Sequence, residues 1–356
     1  MATRTGLLAL AFGAIVASGS PAAQLEPVRP GQEPLIHRAI FADKQLWLLT
    51  DAGILSSIVD GRSDRAEAAL PEPALDLWSN DGRPAVITCL RDSCTDWTLR
   101  ERIAGQWTVA AKVSSQGDRP LAVSGAGGMT TLLTSRRVIE IVGDKQRAIE
   151  LSRPLRARPI ASVHITPASI FVGFNAGEWG GGLQRIDRQT GEVSTIERNA
   201  SGQLCDGTLN TECDPVNGIA TEPWKPECVV IAIGVVHLGA QRGRIAEICG
   251  DDVRRLYAKP YGRQLADRDT VLKPTEPFPS IAFFGSARWG NTLWAVGTDG
   301  LYQIGPDGAT QSSSLPPFKQ IGGLSVSFDL PDFVLVLTEV NQRWSVSGKT
   351  PILVPR

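Results

Sequence analysis

The chain has 356 residues, and its 36 lysines and arginines nearly balance 37 aspartates and glutamates, giving a formal net charge of -1. This balance supplies neither a basic surface for nucleic acid nor a charge excess for an anionic membrane. The 36 glycines and 24 prolines favour a fold with many turns, and long amphipathic helical patterns are absent.

The first 23 residues have the pattern of a secretory signal. Arg4 precedes an apolar stretch, Leu7–Val16, and small residues at 18–23 offer a cleavage zone. A membrane anchor is the alternative, but it needs roughly 20 apolar residues, and Gly19 and Pro21 interrupt the run. We therefore expect a soluble periplasmic or secreted protein with no transmembrane segment after cleavage.

The remaining chain is expected to form one main domain, residues 36–356, preceded by a proline-rich surface strap, residues 24–35. Within this domain, Leu46–Ile54 and Leu293–Tyr302 share one template: an apolar strand with tryptophan, a Thr-Asp turn with glycine, and a second strand. A recurring hairpin unit indicates a radial repeat fold. Cutting the chain at its turn clusters gives seven units of roughly 35–50 residues, each with up to four short strands.

The number of candidate strands distinguishes between all-β folds. A β-sandwich has about seven to nine strands, whereas more than about 20 candidate strands are found here. Small sheets arranged around an axis cover one another's faces and protect their edges. We predict an all-β protein with a single β-propeller of seven blades, with six or eight blades as alternatives.

The segment Leu293–Tyr302 resembles the bacterial propeller repeats of sensor-kinase ectodomains, two-component regulators and many exported proteins, which read apolar-Trp-apolar-Gly-Thr-x-x-Gly-Leu-Tyr. Only the first and sixth units match well, and the first has Leu55 at the tyrosine position. The resemblance implies a propeller fold and export. It implies no catalytic residues, because the repeat itself is structural.

Six cysteines lie in the expected exported part of the chain, and six allow 15 connectivities. Closeness in sequence favours the disulfides Cys89–Cys94, Cys205–Cys213 and Cys228–Cys249, as suits an oxidising compartment. A zinc site is the alternative, but the chain has no Cys-x2-Cys pair and only three histidines.

Propeller topology places each second-to-third strand loop and each link between blades on one face of the ring. The unusual loops of the fourth and fifth units fall on that face: Phe174–Gly182, the link at residues 199–217, and the hairpin around 237–242. The candidate ligand-binding residues in these loops are Asn175, Glu178, Trp179, Asp206, Asp214, His237 and Arg242.

The run Gly180–Gly182 beside Trp179 is the most specific local signal. Consecutive glycines are kept where φ is positive or where a ligand approaches the main chain, and tryptophan offers a stacking surface. A long hairpin turn whose tryptophan covers its own blade is the alternative. His237 could act as a general base with a carboxylate, although a lone hairpin histidine is more often solvated or packed.

Calcium is a further hypothesis, because Asn175, Glu178, Asp206 and Asp214 offer the oxygen ligands that this ion takes. The spacing after Asp206 does not match an EF-hand, and acidic turn residues are common as solvated Asx turns. We therefore expect no cofactor, with calcium as the open alternative.

No Gly-x-Ser-x-Gly, His-Glu-x-x-His or Walker motif occurs, so no catalytic residue is assigned. The leading hypothesis is an exported propeller that binds a protein or small-molecule ligand through the loop-rich face. The alternative is a calcium-dependent hydrolase of the lactonase-like propeller type, in which the metal would activate a water molecule. A purely structural scaffold is a third hypothesis. The sequence does not decide between enzyme and binding module.

Overall fold

The computed structural model describes residues 36–59, 64–90, 94–237, 240–261, 279–315, 323–328, 332–342 and 345–356. The expected signal, residues 1–23, and the expected strap, residues 24–35, lie outside this part of the chain. Within it, none of the helical structure has the length and apolar character that crossing a bilayer would require.

The described residues form 27 strands, which fall into consecutive groups along the chain. The first three groups are β1 (Ile36–Ala42), β2 (Gln45–Thr50), β3 (Leu55–Val59) and β4 (Arg65–Glu67); β5 (Ala74–Asn80), β6 (Arg83–Thr88), β7 (Asp96–Ile103) and β8 (Gln106–Ser114); and β9 (Pro120–Ala126), β10 (Met129–Thr134), β11 (Arg137–Val142) and β12 (Lys145–Glu150).

The next three groups also have four strands each, and the last has three. They are β13 (Ile160–Ile165), β14 (Ser169–Phe174), β15 (Leu183–Asp187) and β16 (Val193–Ile196); β17 (Val216–Thr221), β18 (Val229–His237), β19 (Ala240–Cys249) and β20 (Asp252–Tyr257); β21 (Phe283–Trp289), β22 (Thr292–Gly297), β23 (Gly300–Gly305) and β24 (Gly308–Ser314); and β25 (Leu324–Ser327), β26 (Phe333–Gln342) and β27 (Ser345–Pro355).

Each group is an antiparallel meander whose strands pair in chain order. The second and third groups join into one eight-stranded sheet through a single parallel pairing of Asn80 in β5 with Gly125 in β9. The described strands therefore make seven groups.

The first strand of a group lies closest to the ring axis. First strands of consecutive groups contact one another from β1 to β25. They approach so closely that a Cβ atom added at Gly218 of β17 would lie 2.4 Å from the backbone nitrogen of Ser286 in β21. Glycine in these strands is therefore a packing requirement, because any side chain would push neighbouring groups apart.

Seven apolar clusters hold the groups together, and each cluster combines residues from two neighbouring groups. The seventh joins the two ends of the chain: Ile36, Ala39, Leu48 and Ile58 of the first group lie with Leu335 and Leu337 of β26. The ring is thus closed by apolar packing between the first and last groups. The predicted all-β propeller fold is confirmed, whereas the number of blades in the whole chain stays a prediction.

The repeat template accounts for this packing in the first and sixth groups. Trp47 and Trp294 occupy the same position of the second strand, and each lies in the cluster shared with the following group. Leu48 and Ala295, one residue later, lie in the cluster shared with the preceding group. Successive strand side chains point to opposite faces, so one strand serves both interfaces.

The six cysteines form three disulfides, Cys89–Cys94, Cys205–Cys213 and Cys228–Cys249, with Cα–Cα distances of 5.5, 5.1 and 4.6 Å. These are the pairs expected from closeness in sequence. Each disulfide lies at the end of a loop or hairpin. It joins two chain segments that belong to the same strand group or to the same link between groups. Three disulfides fit a protein of an oxidising compartment.

Candidate functional site

Three segments of the fourth and fifth groups meet on one face of the ring. They are the tryptophan loop (residues 175–182) between β14 and β15, the disulfide link (residues 197–215) between β16 and β17, and the β18–β19 hairpin. The tryptophan loop contains a single 3₁₀ turn, Gly177–Trp179, whose first backbone N–H donates to the Asn175 side chain at 2.7 Å. Asn175 in turn donates to Asn217 at 2.6 Å, which fixes the loop on β17.

The three glycines let the tryptophan loop lie directly on the disulfide link. Gly180 and Gly182 have φ of 76° and 77°, and a Cβ added at Gly180 would lie 2.3 Å from the carbonyl carbon of Glu212. The backbone N–H of Gly182 donates to the carbonyl of Asp214 at 2.8 Å. Positive φ and close main-chain contact therefore explain the glycines, and the neighbour they accommodate is the protein's own link.

Glu178 and His237 bring the tryptophan loop and the hairpin together. The Glu178 carboxylate lies 3.0 Å from Nε2 of His237, and both side chains are nearly half exposed. Trp179, the next residue, is 68% exposed, so its indole does not cover its own blade. This part of the face presents an aromatic surface beside an acid–imidazole pair to solvent.

Asp214 and Arg242 also lie close together, but Asp214 faces the protein interior. Its carboxylate is buried and accepts hydrogen bonds from Arg242 at 3.3 Å, from Arg244, and from the Asn210 backbone at 2.6 Å. Arg242 also donates to the Cys213 carbonyl at 2.7 Å. These contacts fasten the disulfide link to β19.

Asp206 lies in the outer part of the disulfide link. The hydroxyl of Ser201 donates to its carboxylate at 2.6 Å, and this bond, with one from the Gly207 backbone, lowers the pKa of Asp206. The oxygen-bearing side chains named for calcium thus have separate partners: Ser201 for Asp206, arginines for Asp214 and His237 for Glu178. The calcium hypothesis stays a sequence prediction.

Sequence reasoning missed three residues of this face. Arg156 and Arg158, in the link between β12 and β13, reach Glu212 at 2.8 and 3.2 Å. Arg158 also donates to the carbonyl of Trp179 at 2.6 Å. Leu204, beside Cys205, is 74% exposed. The Arg-x-Arg pattern between Pro154 and Pro159 was the available signal for the two arginines, and nothing in the sequence indicated that Leu204 would be exposed.

Among the described residues, one group of three potential metal ligands comes together, Glu222, Cys228 and Cys249, and it lies near the opposite face. Its two cysteines form a disulfide, so their sulfurs are not thiolate ligands.

The chain matches no protein-family model, and no curated protein matches it in sequence. Several solved structures are similar in fold. The structure of YCF48 bound to D1 peptide aligns with a TM-score of 0.50 and 13% identity, covering 94% of this chain and 97% of that chain. YCF48 from Cyanidioschyzon merolae aligns with a TM-score of 0.48 and 13% identity, covering 92% and 96%.

The extracellular domain of the two component system BT4673 from B. thetaiotaomicron aligns with a TM-score of 0.49 and 15% identity, covering 87% of this chain. The present chain spans only 38% of the length of that extracellular domain. The predicted likeness to propeller repeat proteins is confirmed at the level of the fold.

Proposed function

We propose that the protein is a binding module that takes a peptide segment of a partner protein on the face formed by the tryptophan loop and the disulfide link. One observation carries this proposal: Trp179 and Leu204 have the highest exposed fractions, 68% and 74%, among the exposed large hydrophobic residues of the described chain. Tryptophan is enriched among the few residues that dominate binding energy at interfaces.

The two exposed side chains lie on neighbouring segments of the chain. Gly180, next to Trp179, contacts the backbone of Cys213, and Cys213 is bonded to Cys205, next to Leu204. This path limits the Cα–Cα distance between Trp179 and Leu204 to about 18 Å, which an extended peptide of roughly six residues spans. Both residues are held by a disulfide and backbone contacts, so binding would require little ordering of the protein.

Charged side chains lie next to Trp179. Glu178, its neighbour in the chain, pairs with His237, and Arg158, which donates to the Trp179 carbonyl, pairs with Glu212. An apolar centre with a polar rim is the usual composition of a protein interface. A peptide with one large apolar side chain and nearby charges of both signs suits this surface better than a small nonpolar ligand.

A propeller of similar fold supports the choice of a peptide, since YCF48 has been solved bound to D1 peptide. We also propose that the protein works in the periplasm or outside the cell. Three disulfides support that location, because such bonds persist where the environment is oxidising.

The test uses peptides selected from a displayed random library against the wild-type protein. Their affinities are then measured by calorimetry for Trp179→Ala, Leu204→Ala and Trp289→Ala. Trp289 is a matched control, because it is an exposed tryptophan, at 50%, and ends β21 on the opposite face. We expect at least about tenfold weaker binding with Trp179→Ala and no change with Trp289→Ala. Selected peptides that bind Trp179→Ala and wild type equally would contradict the proposal.

A further inference from the structure

Glu222 follows β17 on the face opposite the tryptophan loop, and its environment is unusual for a carboxyl group. The residue is fully buried, and its hydrogen-bond partner is the carboxylate of Glu247, to which the protonated Glu222 donates. A carboxyl oxygen of Glu222 and the sulfur atoms of Cys228 and Cys249 all lie within 4.8 Å of one another. A buried carboxyl group that faces a second carboxyl group is costly, so its position beside a disulfide calls for an explanation.

The charges around Glu222 favour its neutral form. Glu247 beside it is ionised, because hydrogen bonds from Arg254 and Lys225 outweigh the effect of burial and lower its pKa. Burial first, and then Glu247, raises the pKa of Glu222 to about 7. Glu222 therefore keeps its proton under mildly acidic conditions, when Glu247 has lost its own.

His164, on β13 of the fourth group, is a titratable group near the chain segment that leads to Glu222. Its Nε2 lies 2.8 Å from the hydroxyl of Thr221, the residue before Glu222. Burial lowers the pKa of His164 to about 4, so it is neutral near pH 7. The charged groups that act on Glu222 are thus Glu247, Lys225 and Arg254.

The two sulfurs of the neighbouring disulfide differ in access. Cys228 is 2% exposed, whereas Cys249 is only partly buried. An external thiolate reaches Cys249 first, and attack there makes Cys228 the leaving group. The sulfur of this buried leaving group lies within 4.8 Å of a carboxyl oxygen of Glu222.

We propose that Cys228–Cys249 is an exchange-competent disulfide in which Glu222 donates a proton to the departing Cys228 sulfur. A thiolate from a small thiol or a partner protein forms a new S–S bond with Cys249 as the Cys228–Cys249 bond breaks. The electron pair of that bond goes to Cys228, which takes the Glu222 proton and leaves a carboxylate. A second external thiolate can then release Cys249, so the external dithiol is oxidised and the protein disulfide reduced.

This site goes beyond the binding function, because it lies on the other face and shares no residue with it. The carboxyl group can assist only while protonated, and its carboxylate would repel the departing thiolate. The rate of exchange per external thiolate should therefore fall as pH rises through about 7. Asp206, near the disulfide Cys205–Cys213, is not such a donor, since its pKa is lowered.

The experiment treats the oxidised full chain with dithiothreitol from pH 5.5 to 8.5 and follows each disulfide by alkylation and mass spectrometry. Rates are divided by the dithiothreitol thiolate concentration, and Cys205–Cys213 serves as the control within the same molecule. In wild type we expect the rate constant for Cys228–Cys249 to fall by up to about tenfold from pH 6 to 8. In Glu222→Gln the rate constant for Cys228–Cys249 should be low and independent of pH. The control variant Glu227→Gln, at an exposed carboxyl group next to Cys228, should behave as wild type.

Identical pH profiles for wild type and Glu222→Gln would overturn the proposal, as would a mixed disulfide with glutathione that forms on Cys228 instead of Cys249. If Glu222→Gln does not fold, the wild-type profile decides alone. A fall in the exchange rate constant that is restricted to Cys228–Cys249 supports Glu222 as the proton donor. Parallel changes of the rate constants of Cys228–Cys249 and Cys205–Cys213 with pH rule it out.

Discussion

At the scale of single residues, Glu222 ties the stability of the fold to pH. The folded protein keeps its proton up to about pH 7, because burial and the Glu247 charge raise the pKa from 4.5. The unfolded chain loses that proton near pH 4.5. The contribution of Glu222 to stability is therefore fully present below about pH 4.5, and is lost as pH rises towards 7.

The variant Glu222→Gln should not lose stability as pH rises towards 7, since a glutamine amide stays neutral and can donate to Glu247. Measured by urea unfolding, we expect it to be more stable than wild type at pH 8, by up to about 3 kcal/mol, and to differ little at pH 5. An equal effect of the substitution at both pH values would show that Glu222 has no raised pKa.

Asp214 should matter for stability because it holds two arginines inside the protein. Asp214 and Arg244 are both buried, so Asp214→Asn would remove a carboxylate from a buried guanidinium. We expect a loss of about 3 kcal/mol in the free energy of unfolding. The matched change at an exposed pair, Glu212→Gln beside Arg156 and Arg158, should cost less than about 1 kcal/mol. Equal losses for the two variants would contradict the structural role given to Asp214.

The sequence predicted which loops carry the candidate site but not which residues face solvent. It placed Asp214 and Trp179 in one neighbourhood, yet Asp214 points inward to arginines and Trp179 points outward. The side-chain direction depends on partners 28 to 56 residues away, such as Arg242 for Asp214 and Arg156 for Glu212. Local patterns contain no information on such pairs, which only the ring brings together.

At the scale of elements, the tryptophan loop depends on its glycines for contact with the disulfide link. Gly177 and Gly180 offer a matched comparison, because their φ values are 63° and 76°. A Cβ at Gly177 would meet nothing within 4 Å, whereas at Gly180 it would meet the backbone of Glu212 at 2.3 Å. Both alanine variants bear the energetic cost of positive φ. The difference between their free energies of unfolding therefore measures the contact of residue 180 with the disulfide link.

We expect Gly180→Ala to destabilise the protein by about 2 kcal/mol more than Gly177→Ala in urea unfolding. Gly180→Ala should also increase hydrogen exchange in the disulfide link, where Gly177→Ala should not. If both variants lose the same stability and leave exchange in the link unchanged, the loop does not rest on the link as described.

Strand positions could be predicted because alternating or fully apolar runs end at glycine, proline, aspartate and asparagine. The predicted hairpin Leu293–Tyr302 corresponds to β22, Thr292–Gly297, and the first part of β23, Gly300–Gly305, with the start of the first strand shifted by one residue. The reason for the glycine run could not be predicted in the same way. Positive φ was foreseeable at Gly180, but its neighbour, Glu212, lies more than 30 residues later in the chain.

At the scale of the whole molecule, the propeller fold followed from a hairpin template repeated far apart in the chain. Trp47 and Trp294 illustrate this, since each fills the interface with the next group. The closure of the ring was not visible in the sequence. It depends on apolar contacts between β1–β3 and β26, which are separated by almost the entire described chain.

The face that carries Trp179 exists only if strand groups surround a common axis and the ring closes between the first and last groups. The most direct measurement is a double-mutant cycle on the free energy of unfolding with Leu48→Ala and Leu337→Ala, both in the closing cluster. A closed ring predicts a coupling energy of about 0.5 kcal/mol or more between the two positions. Additive effects, within about 0.3 kcal/mol, would contradict the closed ring.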